Sequence, residues 1–237
     1  IPSEIGNLTN LYNLNLGESF SQLKKWNEAI EVYEKILLFN DENYAVMMKL
    51  GESYNTIGNY IKAENIYTKI INCTTPTMEI YYNLALNFGN QGEYLSALLV
   101  FQEALNLSPN DSKIKYQLAV AYKELEVYDK ASYYFEEYIL NNKEDGIAYF
   151  LLGLSYLEMK DFSAALLAFK QAGSLIPHDN RILYNIGLCY LNLGEHSDAA
   201  LKFREALKID PEDPDIYYAL GTSYHKLNKN KKKKEIL

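Results

Sequence analysis

Small residues return every 34 positions along this chain, at Gly17, Gly51, Ala85, Ala119, Gly153, Gly187 and Gly221, without one insertion or deletion. Three positions after each comes an aromatic: Phe20, Tyr54, Phe88, Tyr122, Tyr156, Tyr190 and Tyr224. Ala29, Ala63, Ala97, Ala131, Ala165 and Ala199 follow twelve after the small residue, and four further on stand Tyr33, Tyr67, Phe101, Phe135, Phe169 and Phe203. A fixed period of this length makes each repeat one supersecondary unit that cannot bury its apolar face alone, so neighbours must stack to share a core.

Numbered so that the small residue is position 8, the repeats begin at Asn10, Tyr44, Met78, Ser112, Gly146, Asn180 and Pro214; six are whole and the seventh is cut short. Positions 4, 7, 8 and 11 are apolar or small at helical spacing, and positions 17, 20, 21, 24 and 27 do the same again. Each repeat therefore predicts two helices. Gly58, Gly92 and Gly194 at position 15 mark the break between them, and Pro109, Pro177 and Pro211 at position 32 stop the second helix. Asp213 before Pro214 reads as an N-cap followed by proline at the first helical position.

The small residues have a packing reason. Gly or Ala at position 8 and Ala at position 20 let the two helices of a hairpin approach closely, while the aromatics at 11 and 24 fill the space beside them. A bulky residue at either small position would overpack the hairpin at a cost of about 1–3 kcal/mol. Position 10 is small for the same reason between repeats, at Ser19, Ser53, Asn87, Ala121, Ser155, Cys189 and Ser223. That gives Cys189 a structural role, and Cys73, near the end of a second helix, has no partner cysteine in reach.

With its leucine-glycine, aromatic, alanine, aromatic and proline at fixed offsets, the chain resembles a tetratricopeptide repeat protein over residues 10–228. The resemblance implies an all-α, right-handed superhelical solenoid of antiparallel helix hairpins, six full repeats plus one terminal helix. Position 27 departs from the family's alanine at Ile36, Ile70 and Tyr138, so the second helices of repeats one, two and four should sit slightly further from the repeat after them. Residues 1–16, IPSEIGNLTNLYNLNL, are similar to one leucine-rich repeat through Leu8, Leu11, Leu14 and Leu16. One such unit cannot fold alone, so Leu11 to Gln22 is expected as the first helix, with residues 1–9 an N-terminal extension that a leucine-rich remnant would explain.

Charge and composition narrow the function. The net charge is −8, and residues 229–237 hold five lysines against Glu235, leaving −12 for the rest. Such a lysine run predicts a disordered, solvated tail. An acidic body argues against nucleic acid as a ligand, and no run approaches the roughly 20 apolar residues of a membrane span. His178, His196 and His225 recur beside no nucleophile or carboxylate in a catalytic spacing, and no phosphate loop or metal motif is present, so neither an enzyme, a cofactor nor a small-molecule substrate is expected. Ile1 in place of Met suggests a fragment or processed chain, and two unpaired Cys lean toward a reducing, cytoplasmic interior.

The resemblance implies a scaffold or adaptor that holds a segment of another protein on the concave surface lined by first helices, where positions 2, 5, 9 and 12 face the groove. Repeats three to six there pair an aromatic at position 5 with an aliphatic at position 9: Tyr82 with Leu86, Tyr116 with Val120, Phe150 with Leu154, and Tyr184 with Leu188. Inter-repeat packing competes as an explanation, but four apolar residues in succession at position 9 exceed what stacking needs, and exposed apolar patches mark partner sites. Asn83, Gln117 and Asn185 at position 6 are candidate carboxamide anchors for a partner's backbone, in a row broken at Leu151 and Ala219. The Lys, Asn and Arg clamp by which some members hold a C-terminal carboxylate is not matched. Glu18 and Glu52 instead favour basic groups at the N-terminal end. An alternative is self-assembly: the seventh repeat lacks its second helix, leaving the face around Tyr217, Leu220 and Tyr224 to stack on another chain.

Overall fold

The hairpin turns carry the architecture. In the computed structural model, which describes the backbone of residues 3–236 and the side chains of 12–228, every described element is a helix: α1 Ser3–Gln22, α2 Trp26–Phe39, α3 Tyr44–Thr56, α4 Tyr60–Cys73, α5 Met78–Asn90, α6 Tyr94–Leu107, α7 Ser112–Glu124, α8 Tyr128–Ile139, α9 Gly146–Glu158, α10 Phe162–Leu175, α11 Asn180–Asn192, α12 His196–Ile209 and α13 Pro214–Ile236. Position 15 of all six whole repeats is left-handed. Gly58, Gly92 and Gly194 have φ of 79°, 78° and 85°, and Lys24, Glu126 and Lys160 take φ of 57°, 60° and 62° without being glycine. In each turn the position-16 N–H donates to the position-11 carbonyl, as from Asn59 to Tyr54 at 2.8 Å and from Glu195 to Tyr190 at 2.9 Å. This is the Schellman closure, which needs a left-handed residue between them.

The entry to the next repeat is just as regular. Asn43, Asp111, Asp145, Asp179 and Asp213, at position 34, accept from the first-turn N–H groups of α3, α7, α9, α11 and α13. Of these caps only Asp213 is singled out by its proline; the other four share its 34-residue period.

Two compact halves, Ile1–Gln117 and Leu118–Leu237, divide the chain inside α7. In the first, α1 packs on α2, α2 on α3, α3 on α4, α4 on α5 and α5 on α6. In the second, each helix from α8 to α13 packs on the next. All six position-20 alanines are 0% exposed, and the position-24 rings are at most 2% exposed. The ring of position 24 roofs the glycine of position 8: a Cβ on Gly17, Gly51, Gly153 or Gly187 would lie 2.5–2.7 Å from the nearest ring carbon of Tyr33, Tyr67, Phe169 or Phe203. Position 10 is buried from repeat two onward, and the hydroxyls of Ser53, Ser155 and Ser223 donate to the carbonyl four residues back at 2.8–3.0 Å. Cys189 is 0% exposed, and burial pushes its thiol pKa up to about 12, so it stays a neutral packing group.

Two boundaries differ from the sequence expectation. Helix α1 starts at Ser3, not Leu11, because nothing between Ser3 and Leu11 is a proline and Gly6 alone is too weak to stop a helix. The likeness of residues 1–16 to a leucine-rich repeat is thus one of sequence. Helix α13 runs on to Ile236 where a disordered tail is expected: no glycine or proline follows Gly221, and lysine is a good helix former. The side chains of residues 229–237 lie outside the described ones.

Candidate partner-binding surface

The position-5 and position-9 row is half-buried, and its depth follows from the rings beneath it. In the first half, Tyr82 meets Phe101 edge-on, with ring centroids 5.8 Å apart. In the second, Phe150 lies tilted on Phe169 at 5.8 Å and Tyr184 on Phe203 at 5.7 Å. Tyr82, Phe150 and Tyr184 thus each lean on the roof ring of their own hairpin. Burial pushes the Tyr82 and Tyr184 hydroxyls above their usual pKa, so both remain protonated donors at neutral pH. Leu86 and Val120 are half-buried, while Leu154 packs on the core around Phe169 and Leu188 on the core around Phe203. Tyr116 is half-buried on α7.

The carboxamides are already engaged. Asn83 Nδ2 donates to Glu52 Oε1 at 3.0 Å, and Gln117 hydrogen-bonds the Tyr82 hydroxyl. Asn185 is only 8% exposed and donates to the Arg181 carbonyl at 2.8 Å, so it serves its own helix. The acidic pair is also less free than its charge implies. Glu18 forms an ion pair with Lys49 at 2.9 Å. Desolvation raises the Glu52 carboxyl pKa, against the lowering effect of the Asn83 amide and Lys49. Glu18 to Lys49 and Glu52 to Asn83 are both position 9 meeting position 6 of the next repeat, a 31-residue spacing.

Recesses lined by described residues open on the first half. One, of about 330 Å³, is lined by Glu18, Trp26, Tyr33, Lys49 and Glu52 among others. The second, of about 300 Å³, lies among Glu52, Met78, Glu79, Tyr82, Asn83, Asp111 and Lys113. It joins an aromatic face and a thioether to three carboxylates and one lysine, a lining suited to an apolar group that ends in a positive charge. Glu79, at position 2, belongs to the expected groove row, whereas Asp111, an N-cap, was not legible as a neighbour of Glu52. In the second half, Arg181 lies over the Phe150 ring at 5.5 Å while holding Asp179 at 2.6 Å.

Position 22 is a further feature, one that the repeat pattern does not single out. Leu99, Tyr133, Leu167 and Leu201, on the second helices of repeats three to six, are 51–73% exposed. Isolated surface apolar residues are ordinary. Among the described residues no group of three or more His, Cys, Asp or Glu is placed to hold a metal ion, and no helix is long and apolar enough to cross a membrane.

Family models described as tetratricopeptide repeats match residues 14–42, 79–111, 116–175 and 190–228. No curated protein matches the sequence. Among solved structures, the chain is similar to YrrB, described as a TPR protein with an unusual peptide-binding site, with a TM-score of 0.73, 20% identity and coverage of 80% of this chain and 98% of that one. It is similar to a chain of the APC/C hetero-tetramer Cut9–Hcn1 at a TM-score of 0.66 and 21% identity, covering 90% of this chain but spanning only 42% of that one. A tetratricopeptide repeat protein from Parabacteroides merdae ATCC 43184 gives a TM-score of 0.62 and 21% identity, over 92% of this chain and 85% of that one. At such identities the likeness is one of fold.

Proposed function

The chain belongs to the tetratricopeptide repeat family, and from that premise we propose that it is a protein-interaction scaffold whose first helices hold an apolar, basic-ended segment of another protein. Stacked hairpins supply extended surface, as a binding module requires. The observation that carries the finer reading is the recess beside Tyr82, where an outward aromatic face and Met78 adjoin Glu52, Glu79 and Asp111. Within the first half, half-buried Leu86 and Tyr116 add apolar surface on α5 and α7; within the second, Val120, Phe150, Leu154, Tyr184 and Leu188 offer a row of their own. In this reading Asn83 and Gln117 meet a partner's backbone beside the bonds they make to Glu52 and the Tyr82 hydroxyl, and Asn185 acts by holding α11.

The test compares the intact chain with two variants, Glu52→Lys/Glu79→Lys and Leu154→Lys/Leu188→Lys, in affinity capture followed by titration of the captured segment. Circular dichroism and thermal melting come first. The reading expects both variants to keep their helicity and lose the segment, the acidic variant losing basic-ended sequences selectively. If the leucine variant instead melts early, Leu154 and Leu188 are core, and the row is an inter-repeat seam.

A further inference from the structure

Resting on the reading that the first helices hold a basic-ended segment, we infer that the recess beside Tyr82 seats the ammonium of a partner's lysine between Glu52 and Glu79. The chain itself shows the occupant one repeat earlier. Where α1 meets α3, position 9 is Glu18 and position 6 of the next repeat is Lys49, whose Nζ lies 2.9 Å from Glu18 Oε1. Lys49 thereby supplies a positive charge to a recess whose lining also holds Glu18 and Glu52. Where α3 meets α5, position 9 is Glu52, but position 6 is Asn83, a neutral carboxamide that donates to Glu52 Oε1 at 3.0 Å. The pairing is kept and its cation is replaced. A further carboxylate stands there instead: Glu79, four residues before Asn83 on the same face of α5, close enough for its charge to act on Glu52.

Among the described residues neither Glu52 nor Glu79 forms an ion pair. Asp111 commits its Oδ1 to the N–H groups of Lys113 and Ile114, and Lys113 is the one cation in a lining that holds three carboxylates. Two carboxylates on one wall repel each other, and a cation between them is attracted by both. An ammonium brings three donors, which Glu52 Oε2, a Glu79 oxygen and the Asn83 amide oxygen can accept. Lysine is favoured over arginine because the preceding seam closes around an ammonium in the same register. Its methylene stem would lie on the Tyr82 ring and the Met78 thioether, the apolar part of the lining. At about 300 Å³ the recess is at the small end of ligand sites and suits one side chain.

The probes are the capped tripeptide acetyl-Leu-Leu-Lys amide and its norleucine counterpart, which keeps the stem and lacks the ammonium. Each is titrated into the full 237-residue chain, labelled with nitrogen-15, and followed through the amide shifts of Tyr82 and Asn83. The ratio of the two affinities is the readout, so a general weakening by any substitution cancels. The lysine peptide is expected to bind about tenfold more tightly. Asn83→Lys copies Lys49 and fills the seat from within, so the ratio should fall to about one. Glu79→Gln should lower it about threefold, and thermal circular dichroism checks that both variants keep their helicity. If the norleucine peptide binds the unmodified chain as tightly, the recess takes an apolar end alone; the lysine seat is overturned and the first-helix reading stands. A preference for lysine that survives Asn83→Lys puts the ammonium elsewhere and also overturns the seat. Absence of saturation by either peptide at millimolar concentration overturns it too, and capture with Leu154→Lys/Leu188→Lys then decides the first-helix reading separately.

Discussion

Helices α11 and α13 carry the same pattern of a small residue between aromatics, yet its physical meaning is opposite in the two. Gly187 is required because Phe203 Cε1 would stand 2.5 Å from any Cβ placed there. Gly221 has nothing to avoid. What differs is a ring: Phe203, sixteen positions after Gly187, lies over it, and no described atom lies over Gly221. A glycine in a helix weakens it unless something close presses on the backbone, so α13 keeps the disadvantage of the repeat without the contact that justifies it. The contrast also orders the experiments that would break it.

The largest effect should come from removing the roof. Phe203→Ala empties a 0% exposed site and should cost about 3–5 kcal/mol in chemical denaturation. Tyr224→Ala, at a 44% exposed position, should change stability by under about 1 kcal/mol. Comparable losses would mean that α13 is covered in solution. Next in size is the glycine pair: Gly187→Leu should cost about 1–3 kcal/mol by overpacking, whereas Gly221→Leu should gain about 0.5–1 kcal/mol by replacing a helical glycine. Opposite signs are the point of that measurement. In the Phe203→Ala background Gly187→Leu should become tolerated, since the leucine would fill the vacated space. A coupling near zero in that double-mutant cycle would show that ring and glycine do not meet.

A smaller effect separates the turns. Position 15 is left-handed six times, but Lys24, Glu126 and Lys160 hold that conformation with a side chain, which costs about 1–2 kcal/mol relative to a right-handed one. Glycine at each of these three should stabilise by about 0.5–1 kcal/mol, and alanine at Gly58, Gly92 or Gly194 should destabilise by a similar amount. Thermal melts of the six single variants would check the two signs; a destabilised Lys160→Gly would show its side chain to be worth more than the strain.

These turns also show what the sequence could and could not tell. The period, the two helices per repeat and the faces they bury were legible, because alternation of small and large residues at helical spacing records direction. The three non-glycine left-handed residues of these turns were not: the six-to-one hydrogen bond imposes their conformation, and glycine is merely the residue that adopts it most cheaply. Depth was not legible either. Phe150 and Tyr184 share position 5 in the sequence, but only the structure shows each leaning on the roof ring of its own hairpin. Asn185 could be named as an anchor from its position, yet its amide turns back to the Arg181 carbonyl, a choice made by burial. The 31-residue pairing of position 9 with the next position 6 was present in the letters and joins Glu18 to Lys49; it becomes visible only once two first helices lie side by side.

The finest distinction between α11 and α13 lies at their caps. Asp179 and Asp213 both accept from first-turn N–H groups, but Asp179 alone also holds a guanidinium, through Arg181 Nε at 3.1 Å and Nη2 at 2.6 Å. The Arg181 side chain holds the Asp179 carboxyl below the usual carboxylate range, with the Arg181 backbone N–H acting in the same direction. A folded-state pKa below the unfolded one means that this contribution is full above the unfolded value, about 4, and is lost as pH falls through the lower folded value. The Arg181 side chain is 70% exposed, so solvent screening keeps the ion pair under about 1 kcal/mol. Asp179→Asn preserves a cap and removes the charge: it should lower stability at pH 7 by that small amount, with the difference from the unmodified chain closing as pH falls through the lowered folded value. Arg181→Gln should do the same, and a difference that persists undiminished at low pH would assign the effect to the geometry of the cap and not to the pair.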